Sequence, residues 1–146
     1  MSESSSINSD QAPEPVGAYP HAKRSGNLLY LSGVGPRQRG SKDIPGVVLD
    51  AQGNVLSYDI EAQCRSCFSN IKAVLEDAGS SWANIVDVLV FLTDLRSDFE
   101  GYNRVYKEWF SGPGNPNPAR TTIEIARLPQ GGTAPIAIEL KVIATV

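Results

Sequence analysis

The sequence predicts an α+β fold, a mixed sheet with two helices on one of its faces. Three observations carry this. Residues 58–78 and the segment opening at Ser97 repeat apolar side chains at helical period. Residues 85–93, between them, are apolar on alternate positions of both phases. Two alternating segments, 119–127 and 135–145, end the chain.

Taken in order, residues 1–15 are Ser-rich and carry Glu3, Asp10 and Glu14, with neither a basic region nor an apolar run, so they read as a disordered tail preceding one domain over 16–146. Residues 17–24 and 27–34 read as strands joined by a turn at Ser25-Gly26. Residues 35–57 read as a long functional loop with a small hairpin turning at Gly53-Asn54. In the first helix Ile60, Cys64, Cys67, Phe68, Ile71, Val74 and Leu75 form the apolar stripe, Ser57 is the expected N-cap and Gly79 the stop. The second begins at Ser97-Asp98-Phe99-Glu100, a capping-box pattern, and puts Phe99, Tyr102, Tyr106, Trp109 and Phe110 on one face. Pairing the last two strands with each other would gather Arg120, Thr122, Glu124, Glu139 and Lys141 on a shared polar face. Two helices cover only one side of such a sheet, so sister subunits are expected to bury the other, with sites at the interfaces.

Composition narrows the chemistry. The 146 residues hold 13 basic and 16 acidic side chains and a single histidine, His21. Nucleic-acid binding by bulk charge needs a clustered basic surface, and a transition-metal site needs several Cys, His or carboxylate ligands. No transition-metal site is therefore expected. The most apolar stretch, 85–92, is interrupted by Asp87 and is too short to span a bilayer, so a soluble protein without membrane or nucleic-acid partners is expected, and two cysteines without an export signal point to a reducing cytoplasm. Cys64-Arg65-Ser66-Cys67 has redox spacing but lies inside an amphipathic helix, where core packing explains it. Gly33-Val34-Gly35 and Gly131-Gly132 read as turns, and His21 as a strand surface residue.

Arg120 follows Asn115-Pro116-Asn117-Pro118-Ala119 and opens a strand, where its planar fork suits a carboxylate; an ion pair with Glu124 or Glu139 is the alternative. Glu139 lies between Ile138 and Leu140, so desolvation should raise its pKa unless Arg120 or Lys141 offsets it, leaving either a proton-handling carboxylate or a solvated sheet face.

Gly17-Ala18-Tyr19, Leu31-Ser32-Gly33, Tyr102-Asn103, the run Pro118-Ala119-Arg120-Thr121-Thr122-Ile123-Glu124, Leu128-Pro129 and Ile138-Glu139 resemble the reactive intermediate deaminase (Rid/YjgF) family. The resemblance implies a chorismate-mutase-like α+β fold, a homotrimer with sites at its interfaces, and hydrolysis of enamines or imines to a keto acid and ammonia without metal or organic cofactor. It assigns Arg120 to the substrate carboxylate and Glu139 to the attacking water. Tyr19, Ser32, Gly33 and Asn103 would line the pocket, with backbone groups around Thr122 orienting the nitrogen. Many members carry Cys at the place of Thr122 and Gln at that of Val34.

The long loop with Arg37-Gln38-Arg39-Gly40 and Ile44-Pro45-Gly46, together with Tyr19-Pro20-His21, is similar to the 2-aminomuconate deaminase branch. That substrate is a planar dicarboxylate, so Arg37 or Arg39 would bind its distal carboxylate, and the product would be 4-oxalocrotonate in aromatic catabolism. Both arginines could equally be solvated loop residues. A broad 2-enamine/2-imine deaminase, a non-catalytic metabolite-binding trimer and, last, a ribonuclease are the alternatives; a dimer of trimers is as compatible as a trimer.

Overall fold

A computed structural model describes residues 4–129 and 135–146. The elements in chain order are β1 (Ser4–Ile7), β2 (Ala22–Ser25), β3 (Leu28–Leu31), β4 (Val48–Leu49), β5 (Val55–Ser57), α1 (Ile60–Asp77), a 3₁₀ turn (Trp82–Asn84), β6 (Ile85–Leu92), α2 (Leu95–Phe110), β7 (Ala119–Glu124) and β8 (Ile138–Thr145). Six strands form one sheet in the order β1-β2-β3-β8-β6-β7, and β4 pairs with β5 as the small hairpin expected inside the loop. Gly131-Gly132, read as a turn, lies outside the described residues.

Both helices pack on one face. α1 buries Cys64, Cys67, Phe68, Ile71, Val74 and Leu75, and α2 buries Tyr102, Val105, Tyr106 and Phe110, against Val88, Val90, Leu92, Ile138, Leu140 and Val142 of the central strands. The helices approach closely because Gly101 has no side chain: a Cβ there would come within 2.9 Å of Ile60 Cγ2. Cys64 and Cys67 are free, buried thiols, and burial raises both pKa values, that of Cys64 to about 12, so the Cys-x-x-Cys spacing is core packing.

Four expectations change. Residues 1–15 are not a loose tail where described: β1 pairs antiparallel with β2, and Ser9 and Ala12 are buried. The outer edge of β2 offers backbone groups that an extended Ser-rich segment can satisfy without apolar side chains. The N-cap of α1 is Asp59, which accepts from the amides of Glu61 and Ala62, because Ser57 is still part of β5. α2 starts earlier, at Leu95, with Asp94 accepting from Ser97 N–H and Glu124 Oε1 accepting from Leu95 N–H.

The fourth change bears on function. β7 does not pair with β8; both flank β6, β7 parallel and β8 antiparallel. Since β7 returns through α2, the crossover makes it parallel to β6 and excludes a hairpin with β8. Val88 is in register with Arg120 and Val142, Val90 with Thr122 and Leu140, and Leu92 with Glu124 and Ile138. Arg120, Thr122 and Glu124 therefore share the helix-covered face. Glu139 pairs with Phe91 and Lys141 with Leu89, on the opposite face with Ile123. Among the described residues no helix covers that face, and Tyr30 and Ile123 remain exposed there. No helix of the described residues is long and apolar enough to cross a membrane.

Candidate active site

The expected site residues fall into two clusters, one on each side of the sheet. In the first, β3 ends at Leu31 and Ser32-Gly33 bulge outward before Val34 re-forms a bridge to Leu140. Ser32 N–H donates to His21 O and its hydroxyl to Pro20 O, at 2.7 Å, which holds the bulge. The absence of a side chain at Gly33 admits Glu139, for a Cβ there would stand 2.5 Å from Glu139 Oε2. Tyr19, Ser32, Gly33, Arg37 and Glu139 line a cavity of about 340 Å³, together with Val16 and Ile136. Burial raises the Glu139 pKa, as its apolar neighbours predict, and the opposing influence comes from Arg37 rather than from Arg120 or Lys141. Lys141 points its ammonium to Leu31 O, and burial lowers its pKa.

The two loop arginines separate. Arg37 lines the cavity; Asn70 Nδ2 donates to its carbonyl at 2.6 Å, and its Nη2 donates to Glu14 O at 3.0 Å. Arg39 turns away. Its Nη1 donates to Ser9 O and Ala12 O, and its Nη2 pairs with the Glu14 carboxylate. Of the two, Arg37 alone faces the Glu139 cavity, and the reading of Arg39 as a substrate contact is corrected: the ordered N-terminal segment claims its donors.

His21 is also corrected. It is buried, its Nδ1 accepts from Ser9 N–H at 2.9 Å, and its Nε2–H donates to Pro13 O at 2.7 Å. The ring is a clasp for the N-terminal segment, fixed in one tautomer by its two partners.

The second cluster surrounds Arg120. Asn117 adopts φ of 48°, its N–H reaches Phe110 O, and the Pro-rich connection folds back to start β7 beside α2. Arg120 Nη1 donates to Asn103 Oδ1 at 2.8 Å, and its guanidinium carbon sits 4.5 Å from the Tyr106 ring centre and 5.6 Å from that of Tyr102. This cation–π seat replaces both expected ion pairs: Glu124 caps α2, and Glu139 is across the sheet. Thr122 Oγ1 and Tyr102 OH lie 2.7 Å apart in a hydrogen bond. Tyr106 stacks on Phe110 at 4.3 Å, and burial pushes its hydroxyl up to about 12.

Periodicity assigned Tyr102 and Tyr106 to the core and missed their role as the platform for Arg120. The signal was available: two tyrosines one turn apart, where phenylalanine would serve a purely apolar stripe. Asn103, Arg120 and Thr122 thus come together, as do Tyr19, Ser32, Gly33, Arg37 and Glu139, but one chain does not join the two groups.

Residues 9–146 match the family described as Endoribonuclease L-PSP. The chain is 36% identical over 139 residues to a RutC family protein of Pyrococcus abyssi, with 94% of each chain covered. It is 35% identical over 137 residues to the 2-iminobutanoate/2-iminopropanoate deaminase of Dermatophagoides farinae, covering 93% of this chain and 94% of that one. Among solved structures it is similar to TdcF of E. coli with bound serine, at a TM-score of 0.81, 30% identity and coverage of 97% and 98%. The YjgF product of E. coli gives a TM-score of 0.80 at 31% identity, with 97% and 98% covered. Two helices on one face of a mixed sheet agree with the matched family and these relatives: the chain belongs to the Rid/YjgF (RutC, L-PSP) family.

Proposed function

We propose that this protein is a hydrolytic enamine/imine deaminase acting on a planar dicarboxylate, with 2-aminomuconate as the substrate that fits best. The observation that carries the reading is the pairing of a half-buried carboxylate with a second arginine, Glu139 and Arg37, in one cavity, separate from the Arg120 seat. A dicarboxylate offers one end to each arginine. The deaminase chemistry itself is supported by the 2-iminobutanoate/2-iminopropanoate deaminase relative.

Arg120 and Glu139 lie on opposite faces of the sheet, so a working site takes one from each of two neighbouring chains. The uncovered face, with Glu139, and the unpaired outer edge of β7, beside Arg120, are the surfaces such neighbours would share. Identical head-to-tail contacts of this kind can close into a ring, and the family resemblance makes that ring a homotrimer.

In the reaction the enamine tautomerises to the imine by protonation at carbon. Arg120 binds the carboxylate beside the imine carbon and withdraws electron density from it. Glu139, ionised, takes a proton from water as its oxygen attacks that carbon. Glu139 passes that proton to the imine nitrogen, giving the neutral carbinolamine, and then relays the hydroxyl proton to the amine as the C–N bond breaks, so that ammonia leaves and the carbonyl of the 2-oxo dicarboxylate forms. Arg37 at the far carboxylate holds the reacting carbon in register with the water.

Ammonia release from freshly generated 2-aminomuconate, compared with release from 2-iminobutanoate, tests this. The dicarboxylate is expected to turn over with kcat/KM at least about tenfold higher, the value of one charged contact. Equal efficiencies would favour the second reading, a broad 2-imine deaminase, which the Dermatophagoides relative supports. No turnover of either substrate would leave the metabolite-binding trimer.

A further inference from the structure

We infer that the segment 9–16 forms the wall behind Arg37, and that Arg39 is the positioning residue that holds this wall and, through Glu14, aims Arg37 at the second carboxylate of the substrate. The inference rests on the proposed dicarboxylate reading and adds to it how the second carboxylate is read.

The segment is fastened at three places. His21 grips it at Ser9 N–H and Pro13 O. Asp77 of α1 accepts from Ser9 Oγ and from Gln11 Nε2. Arg39 takes Ser9 O, Ala12 O and the Glu14 carboxylate with one guanidinium. Held this way, Ala12, Pro13 and Pro15 line a smaller cavity of about 40 Å³, room for a water rather than for substrate, that shares Tyr19, Ser32, Gly33 and Arg37 with the Glu139 cavity, and Val16 carries the segment into the Glu139 cavity itself.

Glu14 is the hub. Its carboxylate is fixed by Arg39, and its main-chain carbonyl accepts from Arg37 Nη2. Asn70 holds the Arg37 main chain from the other side, through its Nδ2. Arg37 is therefore anchored at its main chain and at its guanidinium by neutral groups, and among the described residues no carboxylate forms an ion pair with it, Glu139 acting on it only through the field they share. A cation so placed, beside Glu139 and at the wall, is aimed at an anionic substrate group. The Arg39–Glu14 pair is itself exposed, with side chains at 37% and 72%, and a pair of that kind adds little to fold stability. Its consequence is geometric: it fixes where the Glu14 carbonyl stands, and so where Arg37 points.

The test uses two stable planar six-carbon dienes that differ only at one end, trans,trans-muconate (a carboxylate at each end) and sorbate (a carboxylate and a methyl group). Their dissociation constants are measured by calorimetry on the full-length oligomer and on Arg39→Gln, Glu14→Gln and the double variant. Wild-type protein is expected to bind muconate at least about tenfold more tightly than sorbate. Arg39→Gln and Glu14→Gln should each lower that preference about three- to tenfold while sorbate affinity and Tm hold, and the double variant should lose no more than Arg39→Gln alone, because the Glu14 carboxylate acts through Arg39.

A preference unchanged in both single variants overturns the inference, as does an equal loss for sorbate, which would mark a general collapse of the site. Glu14→Gln keeps the main-chain carbonyl and is a surface change, so the test stands if Arg39→Gln fails to fold. The two readings fail separately: equal binding of muconate and sorbate by wild-type protein overturns the second-carboxylate subsite, whereas a muconate preference without ammonia release from 2-aminomuconate overturns the deaminase.

Discussion

Around Arg120 a cation is held against two tyrosine faces at an exposed sheet edge, whereas around Glu139 an anion is pressed into a half-buried cavity beside a glycine. The first arrangement costs little solvation, since the guanidinium stays partly in water and gains a π-face. The second works against the charged form. It makes Glu139 a reluctant anion, and a carboxylate whose pKa is raised takes up a proton more readily, which suits a general base. In the proposed mechanism the fold separates binding from proton transfer, one on each side of β6, and their meeting would fall to a second chain.

The strongest way to break that division is to remove one half from each of two chains. Arg120→Ala is expected to lower kcat/KM by about 10³ or more, through both binding and rate. Glu139→Gln should lower kcat about 10²–10⁴-fold with little change in KM. Co-expressed with separate tags and purified as mixed trimers, the two inactive variants should recover about a third of the wild-type rate, because in every mixed ring one interface in three takes Arg120 and Glu139 from intact chains. A site contained within one chain would recover nothing.

The acid half can be sharpened by titration. Burial raises the Glu139 pKa above its ordinary 4.5, with Arg37 opposing the rise. The active form is the carboxylate, so kcat/KM should fall as pH drops through a midpoint above 4.5. Arg37→Gln removes the opposing cation and should move that acid limb further up the pH scale. The same shift has a stability sign. The folded state binds the Glu139 proton more tightly than the unfolded one, so its ionisation costs stability as pH rises from the unfolded to the folded pKa. Glu139→Gln should accordingly raise Tm at pH 7 while lowering the rate. A limb unmoved by Arg37→Gln would show that the two side chains do not share a field.

Gly33→Ala is a smaller perturbation of the same half. The added methyl would overlap Glu139 Oε2, and since the glutamate side chain can swing, the fold should lose only about 1–3 kcal/mol. The displaced carboxylate should reduce kcat about tenfold to a hundredfold. Wild-type kcat in this variant would mean that Glu139 does not need its place in the bulge.

Much of this division was hidden in the sequence for a topological reason. The 3.6 and 2.0 periods located both helices and the central strand, because burial on one face writes directly into residue order. Pairing is not written that way. β7 and β8 each alternate cleanly, and either could have been the neighbour of the other; only the crossover through α2 decides that β6 lies between them. Arg120 and Glu139 were therefore identifiable as residues but not as members of opposite faces. The ordered N-terminal segment escaped composition for a related reason: Ser9, Gln11 and Glu14 are held by hydrogen bonds to His21, Asp77 and Arg39, contacts without periodicity. Tyr106, buried on the α2 stripe, satisfied the apolar pattern fully, so its second task under Arg120 left no trace in it.

The least disruptive change on the Arg120 side concerns Thr122, where many relatives were expected to carry Cys. Its hydroxyl bonds Tyr102 OH at 2.7 Å, and Tyr102 is the fully buried ring beneath Arg120. Thr122→Val keeps the shape and removes the partner, so a buried phenol is left without its hydrogen bond at a cost of about 1–2 kcal/mol. Because the ring is wedged between Phe99 and Tyr106, it should stay in place. Arg120 would then keep its seat, and kcat/KM should fall less than about tenfold while Tm drops by a few degrees. Thr122→Ser restores the hydroxyl and should restore Tm, whereas Thr122→Cys, with a weaker donor, should fall between Ser and Val. A Val variant as stable as wild type but inactive would reverse the assignment, making the Thr122 hydroxyl a contact to the substrate rather than a support for the aromatic platform.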